Sequence, residues 1–260
     1  MAIRRFREHV TAHNWFAVAV DVAIVVLGVF LGLQVNNWNQ ARIEAAQARD
    51  YRTRLIEELD FNARQFAQQV AYFKQARRFG VDALAALEGS RVLSDRDFLI
   101  AAYQLTQNDT TKAKRFVYDE MMSSGLIGHL GDSEVQQFAS DYYLGTELTN
   151  RQLDSTFPYR SLLREVMPYD VQLRIRRECG DRLVYYKRRL VGLRLVVPCP
   201  MRLDPATASR AARIVRSTPD IRQHMTRYIA FLDEKIDNLE IGIDQSQAFK
   251  ATLRAAAARS

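Results

Sequence analysis

The chain has 260 residues, 48% of them hydrophobic and 26% charged, with a net charge of +7; this is the composition of a folded protein with one sizeable domain or two small ones. Its two cysteines, Cys179 and Cys199, belong to no C-x-x-C and no Cys/His grouping, which argues against a metal or redox motif. The basic excess suits anionic surfaces such as phospholipid headgroups, and nucleic acid only for a domain that faces the cytoplasm.

The first element is the run Trp15 to Asn39, WFAVAVDVAIVVLGVFLGLQVNNWN, apolar throughout with a single charge. Residues 15–35, at 1.5 Å rise each, give roughly 31 Å of helix, the thickness of a bilayer's hydrocarbon core. This predicts one transmembrane helix over 15–35 in contact with the lipid bilayer. Trp15 and Trp38 would sit at the two interfaces, with Asn36, Asn37 and Asn39 marking the return to water. The run is too long for the apolar core of a signal peptide, and the A-x-A at Ala46 to Ala48 lies well past it.

Before the helix, residues 1–14 form a short tail with Arg4, Arg5 and Arg7; after it come Arg42, Arg49, Arg52 and Arg54, a near tie under the positive-inside count. A short basic tail ahead of an uncleaved segment stays in the cytoplasm, and long domains translocate largely regardless of charge. The cysteine pair also suits an oxidising compartment, where it could close a loop of about 20 residues; two buried free thiols are the alternative reading. The expectation is a cytoplasmic N-terminus and residues 36–260 outside the cytoplasm, with no nucleic-acid partner.

Inside the apolar run Asp21 is the costly residue, since a carboxylate deep in a bilayer is unfavourable by roughly 2.5–3.5 kcal/mol unless neutralised or paired. At about 100° per residue, Ala17, Asp21, Gly28 and Gly32 share one stripe, and the Gly28-xxx-Gly32 spacing permits close approach of another helix. The stripe reads as a contact with a second copy or with a partner membrane protein.

The run GVFLGLQVNNWNQAR, with Asp21 ahead of it, resembles the N-terminal signature of a bacterial family of single-pass membrane proteins. That signature reads as a basic tail, a Glu early in the membrane helix, and a G-x-L-x-L-Q-[IV]-N-N-W-N-like stretch. Asp21 stands for the Glu, and Gly28, Leu31, Leu33, Gln34, Val35, Asn36, Asn37, Trp38 and Asn39 fit. A second similarity lies in Ser123, Ser124, Gly125, Asp132, Tyr142 and Tyr143. The resemblance implies a bacterial membrane location and no activity; combined with the orientation expected above, it gives an inner-membrane protein whose C-terminal domain lies in the periplasm.

From Gln40 to about Leu87, Leu55, Leu59, Asn62, Phe66, Gln69, Val70 and Phe73 follow helical spacing, predicting one long helix with a kink at Gly80. Its charged face, including Glu57, Glu58, Asp60, Arg64, Arg77 and Arg78, reads as solvated. Glu88-Gly89-Ser90 ends it, and Ser94 with Asp97 makes a capping-box-like start for a helix over 95–107. Asn108-Asp109-Thr110 reads as a loop, followed by a helix over 111–124 that stops at Gly125. Asp132 and Ser133 cap a helix to about Leu153, with an apolar face of Phe138, Tyr142 and Leu148.

Thr156 with Pro158 signals another helix start, and Pro168 an interruption. Next comes the most basic stretch, in which Arg174, Arg176, Arg177, Lys187, Arg188 and Arg189 form a candidate anion patch. Leu183 to Lys187 and Leu193 to Val197 could pair as a hairpin over about 183–197, flanked by Cys179 and Cys199. Asp204-Pro205 opens a helix to about Ser217, and Thr218-Pro219-Asp220 reads as the start of a last helix of about 35 residues. Its apolar stripe runs from Ile221 to Leu253. It is long enough to return beside the first long helix, so the fold class is all-α: a transmembrane helix followed by an elongated antiparallel helical bundle.

The histidines are dispersed, and no G-x-S-x-G, P-loop or dinucleotide-binding fingerprint occurs. The sequence therefore offers no catalytic residues, no metal site and no cofactor, and it weighs against an enzyme without excluding one. It points to a membrane-anchored interaction, sensor or scaffold protein. The alternative is an accessory subunit of an ion-coupled membrane complex that uses Asp21.

Overall fold

The computed structural model describes residues 15–155 and 157–259, the side chains of Ala17 and Arg259 excepted. The tail 1–14 and the helix start expected at Thr156 lie outside the described residues. The fold is all-α with one small hairpin. Its elements are α1 (Trp15–Leu87), α2 (Asp95–Leu105), α3 (Phe116–Ser123), α4 (Ser133–Asp154), α5 (Pro158–Val166), α6 (Tyr169–Cys179), β1 (Arg182–Tyr186), β2 (Arg189–Arg194), α7 (Pro205–Arg216) and α8 (Ile221–Arg259). A 3-10 turn, Leu126–His129, lies between α3 and α4. The chain divides into two units between Arg52 and Thr53.

The first unit is the N-terminal part of α1. Among the described residues α1 is the helix long and apolar enough to cross a membrane by length and composition. Ile24, Val25, Leu27, Phe30, Leu31 and Leu33 are each more than half exposed, so among the described residues no core covers them.

In the second unit the remainder of α1 runs antiparallel to α8. Asp60 pairs with Lys250 at 2.6 Å, Lys74 with Glu240 at 2.5 Å, and Arg77 with Asp233. The Lys74 and Arg77 pairs are about half exposed and contribute little, whereas Lys250 is mostly covered in its pair with Asp60. The apolar stripes between them hold the helices, with Phe66 and Phe73 on α1 buried and Leu232, Ile236, Leu239 and Phe249 on α8 buried. Each such side chain contributes about 1.5–3 kcal/mol when removed from water.

Gly80 does not end or interrupt α1. A Cβ there would lie 2.6 Å from Leu105 Cδ1 and 3.0 Å from Ile229 Cγ1, so the missing side chain lets α2 and α8 close on α1. Helix α2 is buried from Phe98 through Leu105, and the Ser94 hydroxyl caps it by accepting from the Asp97 amide at 3.1 Å. The expected apolar face of α4 needs one correction. Tyr142 is buried, whereas Leu148 is exposed and Ala139 and Thr146 take its place.

Residues 111–115 are irregular rather than helical, and α3 starts at Phe116. The amides of Gln65 and Gln69 donate to the Thr111 carbonyl at 3.0 and 2.8 Å, and Asn150 accepts from the Ala113 amide at 3.0 Å. Asn62 donates to the Lys114 carbonyl at 2.7 Å and accepts from the Lys114 amide at 2.8 Å. Side chains thus supply the backbone partners that a helix would have supplied, which removes the drive to coil.

The hairpin spans Arg182–Arg194 rather than 183–197. Tyr186 pairs with Arg189, leaving Lys187 and Arg188 as a two-residue turn with φ of 46° and 63°. Two positive φ values define a turn whose twist matches the strands, and here it is built without glycine or asparagine. Gly192 (φ 146°) lies where a Cβ would meet Asp109 Oδ2 at 2.8 Å, and the Leu193 amide donates to that same oxygen at 2.8 Å. Cys179 and Cys199 are joined as a disulfide with a Cα separation of 5.2 Å.

The start of α8 also differs from the expectation. Asp220 has φ of 57°, and the Thr218 hydroxyl donates to the Ile214 carbonyl of α7 at 2.9 Å. Thr218-Pro219-Asp220 is therefore the turn between the helices, and α8 begins at Ile221.

Candidate functional site

Two regions collect the residues singled out from the sequence. On α1, Asp21 is exposed, and a Cβ built on Gly28 or Gly32 would meet nothing within 4 Å. Among the described residues nothing packs on this face at Gly28 and Gly32. Ala17 belongs to the same helix, but its side chain lies outside the described residues. Trp15 and Trp38 are both 68% exposed, and Asn36, Asn37 and Asn39 are exposed. Arg42 reaches back to Asn39 Oδ1 at 3.3 Å and lies 5.7 Å from the Trp38 ring centre, giving this turn a polar, cationic end.

The second region holds the basic residues, which the fold does not keep together. Arg174, Arg177 and Arg188 are exposed. Lys187 and Arg189 line a cavity of about 250 Å³ that also carries Arg64 and two acids, Glu57 and Asp60. Arg176 lines a different cavity of about 350 Å³, with Arg160, Arg164, Gly180 and Asp181.

In that larger cavity Arg164 on α5 is held by neutral groups. It donates to the Tyr103 hydroxyl at 2.5 Å, to Thr106 Oγ1 at 2.7 Å and to Gln107 Oε1 at 3.1 Å, and its guanidinium lies 3.8 Å from the Tyr103 ring centre. Burial pulls this guanidinium below the usual arginine range; Tyr103 opposes that, while Arg160 and Arg176 add to it by like-charge repulsion. Asp181 accepts from the Tyr72 hydroxyl at 2.9 Å. Its carboxyl is raised by burial and by the charge of Asp109, against the Tyr72 hydrogen bond. Arg160 and Arg164 sit at i and i+4 on one helix, a spacing readable in the sequence but without meaning until α6 is folded beside it.

Glu58, expected on the solvated face, is instead buried. It accepts from the Tyr143 hydroxyl at 2.6 Å and from the Val117 amide at 2.9 Å. Burial raises its pKa, with both hydrogen bonds opposing. Tyr143 stacks on Tyr118 with centroids 4.2 Å apart and meets Tyr142 edge-on. The second family-like segment therefore resolves into caps and core. Ser124 bonds the Glu120 carbonyl at 2.7 Å, Gly125 takes a φ of 73°, Asp132 caps α4, and the tyrosines fill the interior.

Among the described residues no group of three or more His, Cys, Asp or Glu side chains could hold a metal ion. Comparison of the chain with protein-family models, with curated proteins and with solved structures finds no match.

Proposed function

We propose that the chain is a membrane-anchored, non-enzymatic interaction or sensor protein. Residues 15–35 hold it in a bacterial inner membrane as a single pass, the N-terminus lies in the cytoplasm, and residues 36–260 work in the periplasm. The Asp21, Gly28 and Gly32 face of α1 associates with a second copy or a partner membrane protein. The observation that carries this reading is the bare apolar stretch of α1, which in water would be an unburied surface of a size found at membrane or protein contacts. The disulfide supports an oxidising compartment for the second unit, because thiol pairs stay reduced in the cytoplasm.

A Gly28→Cys variant crosslinked in native membranes tests the association. A covalent dimer or heterodimer is expected, and monomer alone at every expression level overturns it. Recovery of the full chain in the soluble fraction after cell breakage overturns the anchor.

Asp21 favours a second reading, in which the chain is an accessory subunit of an ion-coupled complex and this carboxylate titrates within a helix cluster. Asp21→Asn separates the two. Altered assembly fits the interaction protein, whereas normal assembly with loss of the energised process fits the coupling subunit.

A further inference from the structure

The cavity among α2, α5 and α6 collects three guanidiniums, from Arg160, Arg164 and Arg176, against the single carboxylate of Asp181. Among the described residues none of the three makes an ion pair, and Asp181 is engaged by Tyr72 instead. Arg160 donates to the Thr106 carbonyl, and Arg176 is exposed at the rim. Like charges gathered around a cavity repel one another, and the arrangement becomes favourable when an anion occupies it. Neutral side chains fix Arg164 in one orientation before any ligand arrives, so little ordering remains to be done on binding. Guanidinium forks match the paired oxygens of carboxylates and phosphates. The volume of about 350 Å³ falls in the range of small-molecule sites and exceeds what a bare inorganic ion needs. The cavity at Lys187 and Arg189 is closer to balanced, because Glu57 and Asp60 line it along with Arg64.

We propose that the cavity bounded by Arg160, Arg164, Arg176 and Asp181 is a binding site for a small soluble organic anion that presents carboxylate or phosphate oxygens. Arg164 is the fixed anchor, supplying its charge and the one Nη1 N–H that Tyr103, Thr106 and Gln107 leave over; Arg160 supplies a fork, and Arg176 is the rim residue that closes on the bound oxygens. The site lies wholly within the second unit, so failure of the membrane reading leaves it standing.

The test is calorimetric titration of the full-length chain in detergent micelles with citrate and with inorganic phosphate, at constant ionic strength. Saturable binding is expected for at least one probe. Arg176→Gln, an exposed position, should weaken it at least tenfold without loss of folding, and Arg164→Gln should abolish it. Arg174→Gln, on the same helix but not at the cavity, should leave it unchanged. Absence of saturable binding to both probes overturns the proposal, as does an equal loss in Arg174→Gln and Arg176→Gln. Binding of phosphatidylglycerol added to the micelles, with neither soluble anion bound, also overturns it in favour of a lipid headgroup.

Discussion

Asn62 and Lys114 exchange hydrogen bonds in both directions, the side-chain amide of one serving as both partners of the other's backbone. One side chain thus satisfies both backbone groups of Lys114. Asn62→Ala leaves a donor and an acceptor of the 111–115 segment without their partner, a loss of roughly 2 kcal/mol. Chemical denaturation should show that loss, and hydrogen exchange at the Lys114 amide should accelerate in the same variant.

Lys235 on α8 is almost fully buried, donates to Asn108 Oδ1 at 2.9 Å and lies 4.9 Å from the ring centres of both Phe73 and Phe231. Burial, then repulsion from Lys112, lowers its pKa to about 8, with Asp154 and Asp109 opposing. The unfolded chain therefore binds more protons than the folded one between about 8 and the ordinary lysine value near 10.5, and stability rises with pH across that window. A gain on the order of 3 kcal/mol is the expected ceiling. Urea denaturation from pH 7.5 upward measures it, and Lys235→Met should flatten the rise.

Glu58 acts in the opposite sense. Its pKa is raised in the folded state, so the folded chain holds the proton more tightly, and its contribution is greatest below the ordinary value near 4.5 and declines above it. Glu58→Gln should remove that decline. The amide can accept from the Val117 N–H and donate to the Tyr143 oxygen, which turns from donor to acceptor. Stability measured between pH 4 and 7 should fall less steeply in the variant.

Two glycines on α1 should respond differently to the same change. Gly80→Ala gains about 1 kcal/mol of helix propensity, but its methyl meets Leu105 and Ile229 at contact distances too short to keep. A net loss of about 1–2 kcal/mol is expected in the thermal unfolding of the second unit. Gly28→Ala meets nothing among the described residues and should leave that unfolding unchanged.

What could be read in advance divides along the range of the interactions involved. Gly89 and Gly125 end helices with φ of 76° and 73°, and Asp132 and Asp204 cap α4 and α7 through amides three residues on. Each is a local device whose residue type announces it. The irregular 111–115 segment is specified by amides from residues 62, 65, 69 and 150, so nothing nearby in the chain betrays it. The hairpin turn carried no glycine or asparagine to mark it, and the β-branched run past Leu193 pulled the expected second strand too far along. Arg160 and Arg164 gained a possible role only when α6 brought Arg176 to the same cavity.

The disulfide encloses the entire hairpin, since β1, its turn and β2 all lie between Cys179 and Cys199. The exposed turn offers Lys187, Arg188 and Arg189, three successive sites for a trypsin-like protease. A cut there opens a covalent ring instead of dividing the molecule. The nicked chain should migrate as one species without reductant and as two fragments once reduced, so surface damage at this turn leaves the two halves tethered.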